Sequence, residues 1–214
     1  MLIDRRWRRV LLLLAVAAYA VPALAQQPAP NGAAPAAGAA VKKPPKPKPA
    51  PATTGTADAV AAAAGGAKPT LLGQYGDWGA YTASPGGKKI CFAIAKPASS
   101  ETTPAGKTRN PSYMFISSRP GEKVTDEVSI IIGYPFKPNS EATVAVGTAS
   151  FALYTQQDGA WIKNAAEEAN MVGAMRGGQT AVVKGVSAKG TQSSDTYSLK
   201  GLAQALDRTG QECK

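Results

Sequence analysis

From Leu71 onward, short runs rich in β-branched and aromatic residues alternate with turn chemistry. Trp78 to Thr82, Ile90 to Ala95, Tyr113 to Ser117, Val128 to Tyr134, Thr143 to Val146, Ser150 to Thr155 and Thr180 to Ser187 each read as a strand. In Ser150-Phe151-Ala152-Leu153-Tyr154 the larger apolar residues Phe151 and Leu153 share one face, the period-2 mark of a half-buried strand. Val128-Ser129-Ile130-Ile131-Ile132 reads as a central, well-buried strand. Pro85-Gly86-Gly87, Arg119-Pro120-Gly121 and Asp158-Gly159 supply the turns between such runs. Many short strands joined this way predict a mainly β domain, an antiparallel β-sandwich or open barrel.

Two short helices interrupt the pattern. Asn164 is placed to cap the first, with Glu167 as its reciprocal partner, Met171, Val172 and Met175 as the apolar side and Gly177-Gly178 as the stop. The second runs from about Ser198 to Arg208, with Leu199, Leu202, Ala203 and Leu206 on one face and Gly210 at its end.

The first 70 residues follow a different rule. Arg5, Arg6, Arg8 and Arg9 precede an apolar run from Val10 to Tyr19, and Ala23-Leu24-Ala25 places small residues where a signal peptidase reads them. A Sec-type signal peptide over 1–25, cleaved after Ala25, is therefore expected. The apolar run is short of the ~20 residues needed to span a bilayer. From Gln26 to Thr70 the chain is nearly all Ala, Pro, Gly, Thr and Lys, with no aromatic residue. Too little apolar area is available there to offset chain entropy, so a disordered linker is expected over 26–70. Within it, Lys42 to Pro49 favours an extended polyproline II spacer. Ala57 to Ala64 could form a fleeting helix ended by Gly65-Gly66, with nothing obvious to pack against it. The expected organisation is thus signal peptide 1–25, linker 26–70 and β domain 71–214.

A net charge of +10 suggests nucleic acid until it is divided along the chain. The signal region carries four Arg and one Asp, the linker five Lys and one Asp, and the rest 15 basic against 12 acidic residues: +3, +4 and +3. Most of the basicity lies outside the β domain, and no basic stripe with interleaved aromatics is present, so nucleic acid is not an expected partner. Lys42, Lys43, Lys46 and Lys48 could instead contact peptidoglycan or anionic lipid at the membrane periphery. The bland alternative is a solvated spacer.

The chain has two cysteines, Cys91 and Cys213, and no histidine. In an exported chain without CxxC spacing, a structural disulfide between them is favoured over two free thiols or a redox pair. Without histidine, Ser-His-Asp and Cys-His arrangements are impossible, and zinc loses its commonest nitrogen ligand. No phosphate or dinucleotide fingerprint is present. No enzyme, cofactor or metal is expected.

The order and spacing of several motifs then carry a resemblance. Arg119-Pro120, Glu127-Val128-Ser129 leading to Gly133-Tyr134, Ala160-Trp161, and Gly190-Thr191 followed by Asp195-Thr196-Tyr197-Ser198-Leu199-Lys200-Gly201 resemble the invasion associated locus B family of exported bacterial proteins. The likeness runs from about Tyr75 to Cys213; the long Ala/Pro/Lys linker departs from it. The resemblance implies a compact β-rich envelope or secreted protein with no established catalytic activity, in a family named for one member's association with host-cell entry. Its motif residues also have local physical accounts. Asp195, Tyr197 and Ser198 are placed at a strand-to-helix junction, where Asp or Ser can satisfy the first N–H groups of the last helix. Tyr197 can bury its ring while pairing its hydroxyl. Gly201 suits positive φ or close backbone approach. Trp161, following Asp158-Gly159, reads as a core anchor in preference to the alternative, a ligand platform. The expectation is an exported interaction module in the periplasm, on the outer membrane or in the medium, bound to an envelope or host-surface protein or glycan. A polycationic tether with a structural envelope role is the alternative.

Overall fold

The computed structural model describes residues 54–214. The expected signal peptide, the linker up to residue 53 and the four linker lysines Lys42, Lys43, Lys46 and Lys48 lie outside the described residues. In chain order the elements are α1 (Thr54–Ala63), β1 (Thr70–Tyr75), β2 (Trp78–Ala83), β3 (Ile90–Ala95), β4 (Ser99–Thr103), β5 (Tyr113–Arg119), β6 (Val124–Ile131), β7 (Glu141–Val146), β8 (Ala149–Gln156), β9 (Gly159–Ile162), α2 (Glu168–Gly177), β10 (Thr180–Val186), β11 (Gln192–Ser198) and α3 (Leu202–Glu212). No helix among the described residues is long and apolar enough to cross a membrane.

All the strands join one antiparallel sheet in the order β1-β2-β3-β5-β6-β9-β8-β7-β10-β11-β4. β4 closes this order although only Lys96, Pro97 and Ala98 separate it from β3, the third strand in the row. Four residue steps reach at most ~14 Å, so the sheet must coil until its last strand lies near its third. That is the open-barrel form of the expected mainly β fold, and a sheet this wide curls rather than lying flat.

Alternation along each strand sets the two surfaces. Ala80, Ala93, Met114, Ile116, Val128, Ile130, Val144, Leu153, Ala160 and Val183 point inward into one continuous core. Trp78 anchors it, wholly buried, its indole N–H donating to the Ser198 carbonyl at 2.9 Å and so tying β2 to the end of β11. α2 adds Met171, Val172 and Met175 to the same core; α3 adds Leu202, Ala205 and Leu206 and lies across β1, β2 and β3.

A second, smaller apolar cluster sits on the outer face of β2, β3 and β5. Phe92, Ile94, Tyr113 and Phe115 there are covered by Val60 of α1 and by Ala64 just after it. Residues 54–70, placed by composition in the linker, thus form α1, a turn and the start of β1. The helix at Ala57 to Ala64 does have a packing partner: the outward side chains of strands far along the chain.

Both later helices shift from their expected limits. Asn164 does cap its segment, its side chain accepting from the Ala166 N–H at 3.2 Å, but the segment opens as a 3-10 turn, Ala165–Glu167. Glu167 makes no reciprocal bond. Glu168 instead reaches out of the helix and accepts the Val128 N–H at 2.9 Å, fixing α2 on β6. α3 starts four residues later than expected, because Ser198 still pairs with Thr180 in the sheet. It also runs through Gly210 to Glu212, held by packing of Thr209 and by Arg208 paired with Glu212.

Candidate functional site

Between β4 and β5 the chain makes an excursion over residues 104–112, hereafter the strap. Most of it is exposed, yet it is held from inside the barrel by residues of β11. In β11 the inward positions are Ser193, Asp195 and Tyr197, an unusually polar row for the inside of a sheet. Asp195 is 0% exposed and forms an ion pair with Arg109 of the strap. The Arg109 guanidinium also donates to the Ile132 carbonyl and, at 3.2 Å, to Ser100 Oγ of β4. It stands over the Tyr134 ring at 5.8 Å, a cation–π placement. Tyr134 and Ser193 pair their hydroxyls at 2.6 Å, and Tyr197 and Ser112 pair theirs at 2.7 Å.

The backbone completes the clamp. The Asn110 N–H donates to the Gly133 carbonyl at 3.1 Å, and Gly133, at φ 83°, lies so close that a Cβ there would sit 2.1 Å from the Asn110 carbonyl oxygen. Only glycine fits both demands. The electrostatics follow from enclosure. Burial drives the Tyr197 hydroxyl far above the ordinary tyrosine range, with the Ser112 bond pulling weakly the other way. Tyr134 moves the same way for the same first cause. Both phenols therefore stay neutral hydrogen-bonding groups. Asp195 Oδ2 has no hydrogen-bond partner among the described residues.

Outside the clamp, strap and β4 enclose a cleft of about 700 Å³, lined among others by Lys96, Ser100, Thr102, Lys107, Arg109 and Asn110. Its wall offers ammonium, guanidinium, hydroxyl and amide groups on a backbone whose position is fixed. Such a wall can recognise a ligand. Glu101 adds a carboxylate to the same cleft, beside the amines of Lys96 and Lys107.

The residues singled out in the sequence fall in several places. Asp195 and Tyr197 meet in the clamp, but Asp195 is mid-strand and caps no helix; its partner is Arg109, 86 residues away. Tyr197 buries its ring and pairs its hydroxyl. Ser198 Oγ accepts the Lys200 N–H at 3.3 Å in the turn into α3. Gly201 adopts φ 93°, and a Cβ there would lie 2.0 Å from the Tyr75 carbonyl oxygen, so the turn abuts β1 directly. Trp161 is not in the core. It is half-buried on the outer face, stacked on Tyr154, because Ala160 and Ile162 take the inward positions of β9. Trp78 holds the anchoring role instead. Cys91 and Cys213 are joined, with Cα atoms 6.0 Å apart, linking β3 to the end of α3. Arg109 and Ser112 carry no signal in the sequence, and Tyr134 enters it only as part of the Gly133-Tyr134 motif, with no role assigned. Arg109 and Ser112 reach the clamp from a loop of no regular pattern, and the one available signal was the period-2 spacing of Ser193, Asp195 and Tyr197.

The family described as "Invasion associated locus B (IalB) protein" matches residues 78–210, a stretch that includes the strap and the whole clamp. Curated proteins give no match. Among solved structures, the chain is similar to the crystal structure of invasion associated protein b from Bartonella henselae, with 17% sequence identity and a TM-score of 0.48, over 65% of this chain and 95% of that one.

Proposed function

The chain belongs to the invasion associated locus B family, and from that premise we propose that it is an exported, non-enzymatic interaction module whose contact surface is the strap cleft. The carrying observation is the clamp itself. A buried ion pair seldom repays its desolvation in stability alone, whereas it does fix one geometry. Here the geometry fixed is that of an otherwise exposed loop bearing Lys107, Arg109 and Asn110, which together with Lys96 just after β3 line an open cleft. Loops held by a rigid scaffold are where recognition is usually built. Export is supported by the basic, apolar and small-residue segments over 1–25, and an oxidising destination suits the Cys91–Cys213 bond. The partner is an envelope or host-surface protein or glycan, host contact being suggested by the family's name.

Retention of the full chain on purified peptidoglycan, outer-membrane vesicles and host-cell membranes tests this reading. Saturable retention on one of them, lowered about fivefold or more by Lys96→Ala with Lys107→Ala, is the expected result. Retention on none, or retention untouched by the pair, refutes the cleft. The second reading, a tether acting through Lys42, Lys43, Lys46 and Lys48, is favoured by the charge partition. Deleting Lys42 to Pro49 would then release the protein from envelope fractions at moderate salt, and unchanged fractionation would end it.

A further inference from the structure

The outer surface of the barrel is polar over β7, β10, β11 and β4, where Thr143, Lys184, Ser194, Thr196 and Glu101 point outward. Across β9 and β8 it is not. Trp161 and Tyr154 are direct cross-strand partners, their rings near parallel at 26° with centroids 5.6 Å apart. Tyr154 is 47% exposed, one of two large apolar side chains so exposed among the described residues. The placement of the indole is built in. A Cβ on Gly159 would lie 2.3 Å from the Trp161 ring, so the indole occupies the room that a side chain at 159 would take and lies down against the sheet. On one side the outward neighbours, Ser129 on β6, Ala152 on β8 and Thr143 on β7, are small, whereas Ile131 on β6 and Gln156 on β8 flank Gly159 on the other. On the first side the two rings therefore stand above a shallow floor. One end of this floor is bounded by Lys163 and Glu141, paired with each other and directly beside Tyr154 and Trp161 in the register.

We propose that Trp161 and Tyr154 form a saccharide platform for a neutral glycan chain, separate from the strap cleft. In this offset stack the outward face of Tyr154, the more exposed ring, and the uncovered part of the indole offer a flat, electron-rich surface to the C–H face of a pyranose. Lys163 supplies donors and Glu141 acceptors for equatorial hydroxyls, and their charges cancel. Nothing at the platform favours an anionic sugar, which is why the ligand is neutral. The platform shares with the proposed function only the premise of a binding module; the cleft can fail while the platform stands, and the reverse.

Tryptophan fluorescence isolates the site. The chain has three tryptophans, and Trp78 is wholly buried, so in full-length W7F protein acrylamide quenching reports Trp161. Chitotetraose, cellotetraose and maltotetraose serve as probes. At least one should protect Trp161 from acrylamide saturably, at concentrations up to about 10 mM, as expected for a shallow site. Tyr154→Ser should weaken that protection by about tenfold or more, with an unfolding midpoint close to that of the parent. Lys163→Met should weaken it severalfold. The proposal is overturned if none of the three sugars protects Trp161, if Tyr154→Ser binds as well as the parent, or if Tyr154→Ser only lowers the midpoint, which would make the pair a cross-strand staple. A stronger, salt-sensitive response to a sulfated tetrasaccharide would also overturn it, in favour of an acidic ligand.

Discussion

The two halves of the clamp's ion pair are not equivalent, and that asymmetry can be measured. Asp195 is 0% exposed on an inward position of a strand paired on both sides, and its carboxylate has no route to water. Arg109 keeps 11% exposure and sits on a surface loop that can lift. Arg109→Ala therefore strands a buried charge, which costs about 3–5 kcal/mol. Asp195→Ala leaves a guanidinium that can turn out to solvent, at the loss of hydrogen bonds worth about 1–3 kcal/mol. The double variant should cost less than the sum, because it leaves neither charge without its partner. For a domain of this size each kcal/mol moves the midpoint by about 2–4 °C, so Arg109→Ala should fall by about 6–20 °C and Asp195→Ala by less. Thermal and urea unfolding of the three variants at neutral pH gives the cycle, and hydrogen exchange over residues 104–112 reports the strap. Strap amides should exchange faster in all three. The reasoning is refuted if Asp195→Ala costs as much as Arg109→Ala, if the two add, or if strap exchange is unchanged.

Three further outcomes follow from the fold. Replacing both cysteines by serine removes a cross-link spanning 122 residues, worth at most about 5 kcal/mol on the chain-entropy account, so the midpoint should drop by up to about 10–20 °C; a change of only a few degrees would mean that the unfolded chain is already compact. Glu168 is held above the ordinary carboxyl range, first by burial and then by Glu127 and Asp126, against the pull of the Val128 N–H and Arg119. Its folded form thus favours the proton, and the stability it contributes in acid is lost as pH rises through the raised value; Glu168→Gln should match the parent near pH 4 and melt higher at about pH 7, and a pH-independent difference would refute the assignment. Gly133→Ala forces a Cβ against the Asn110 carbonyl at φ 83°, which should cost more than about 2 kcal/mol and loosen the strap, readable in the same exchange experiment.

Seven strands were legible because β-branched and aromatic residues mark them: the run at Ile90–Ala95 coincides with β3 to the residue. β4 and β11 were not, since Ser-Ser-Glu-Thr-Thr and Gln-Ser-Ser-Asp-Thr-Tyr-Ser read as loop chemistry. They are strands because neighbours pair with them, a tertiary cause that composition does not carry. β9 was hidden by its length of 4 residues. β1 was masked by the linker composition before it, and α1 could not be placed while Phe92, Ile94, Tyr113 and Phe115 could not be assigned to an outer face. Asp195 and Tyr197 stood out through the family resemblance, but their partners Arg109 and Ser112 lie 86 and 85 residues away, where no local pattern points to them. Trp78 takes the core role expected of Trp161 for a simple reason: either tryptophan suits a core, and only the register decides which faces in.

α3, over residues 202–212, is the layer that covers β1, β2 and β3 from within, and its terminal cysteine bonds to one made 122 residues earlier. During synthesis the first three strands therefore emerge with an inner face that has nothing to close on. Their burial waits for the final helix, and the high mean separation of contacts makes that closure slow. A ribosome-bound or partly translocated chain is consequently still pliable, able to thread through a narrow channel end first. For a protein whose proposed place of work lies across a membrane, late closure lets passage come before folding.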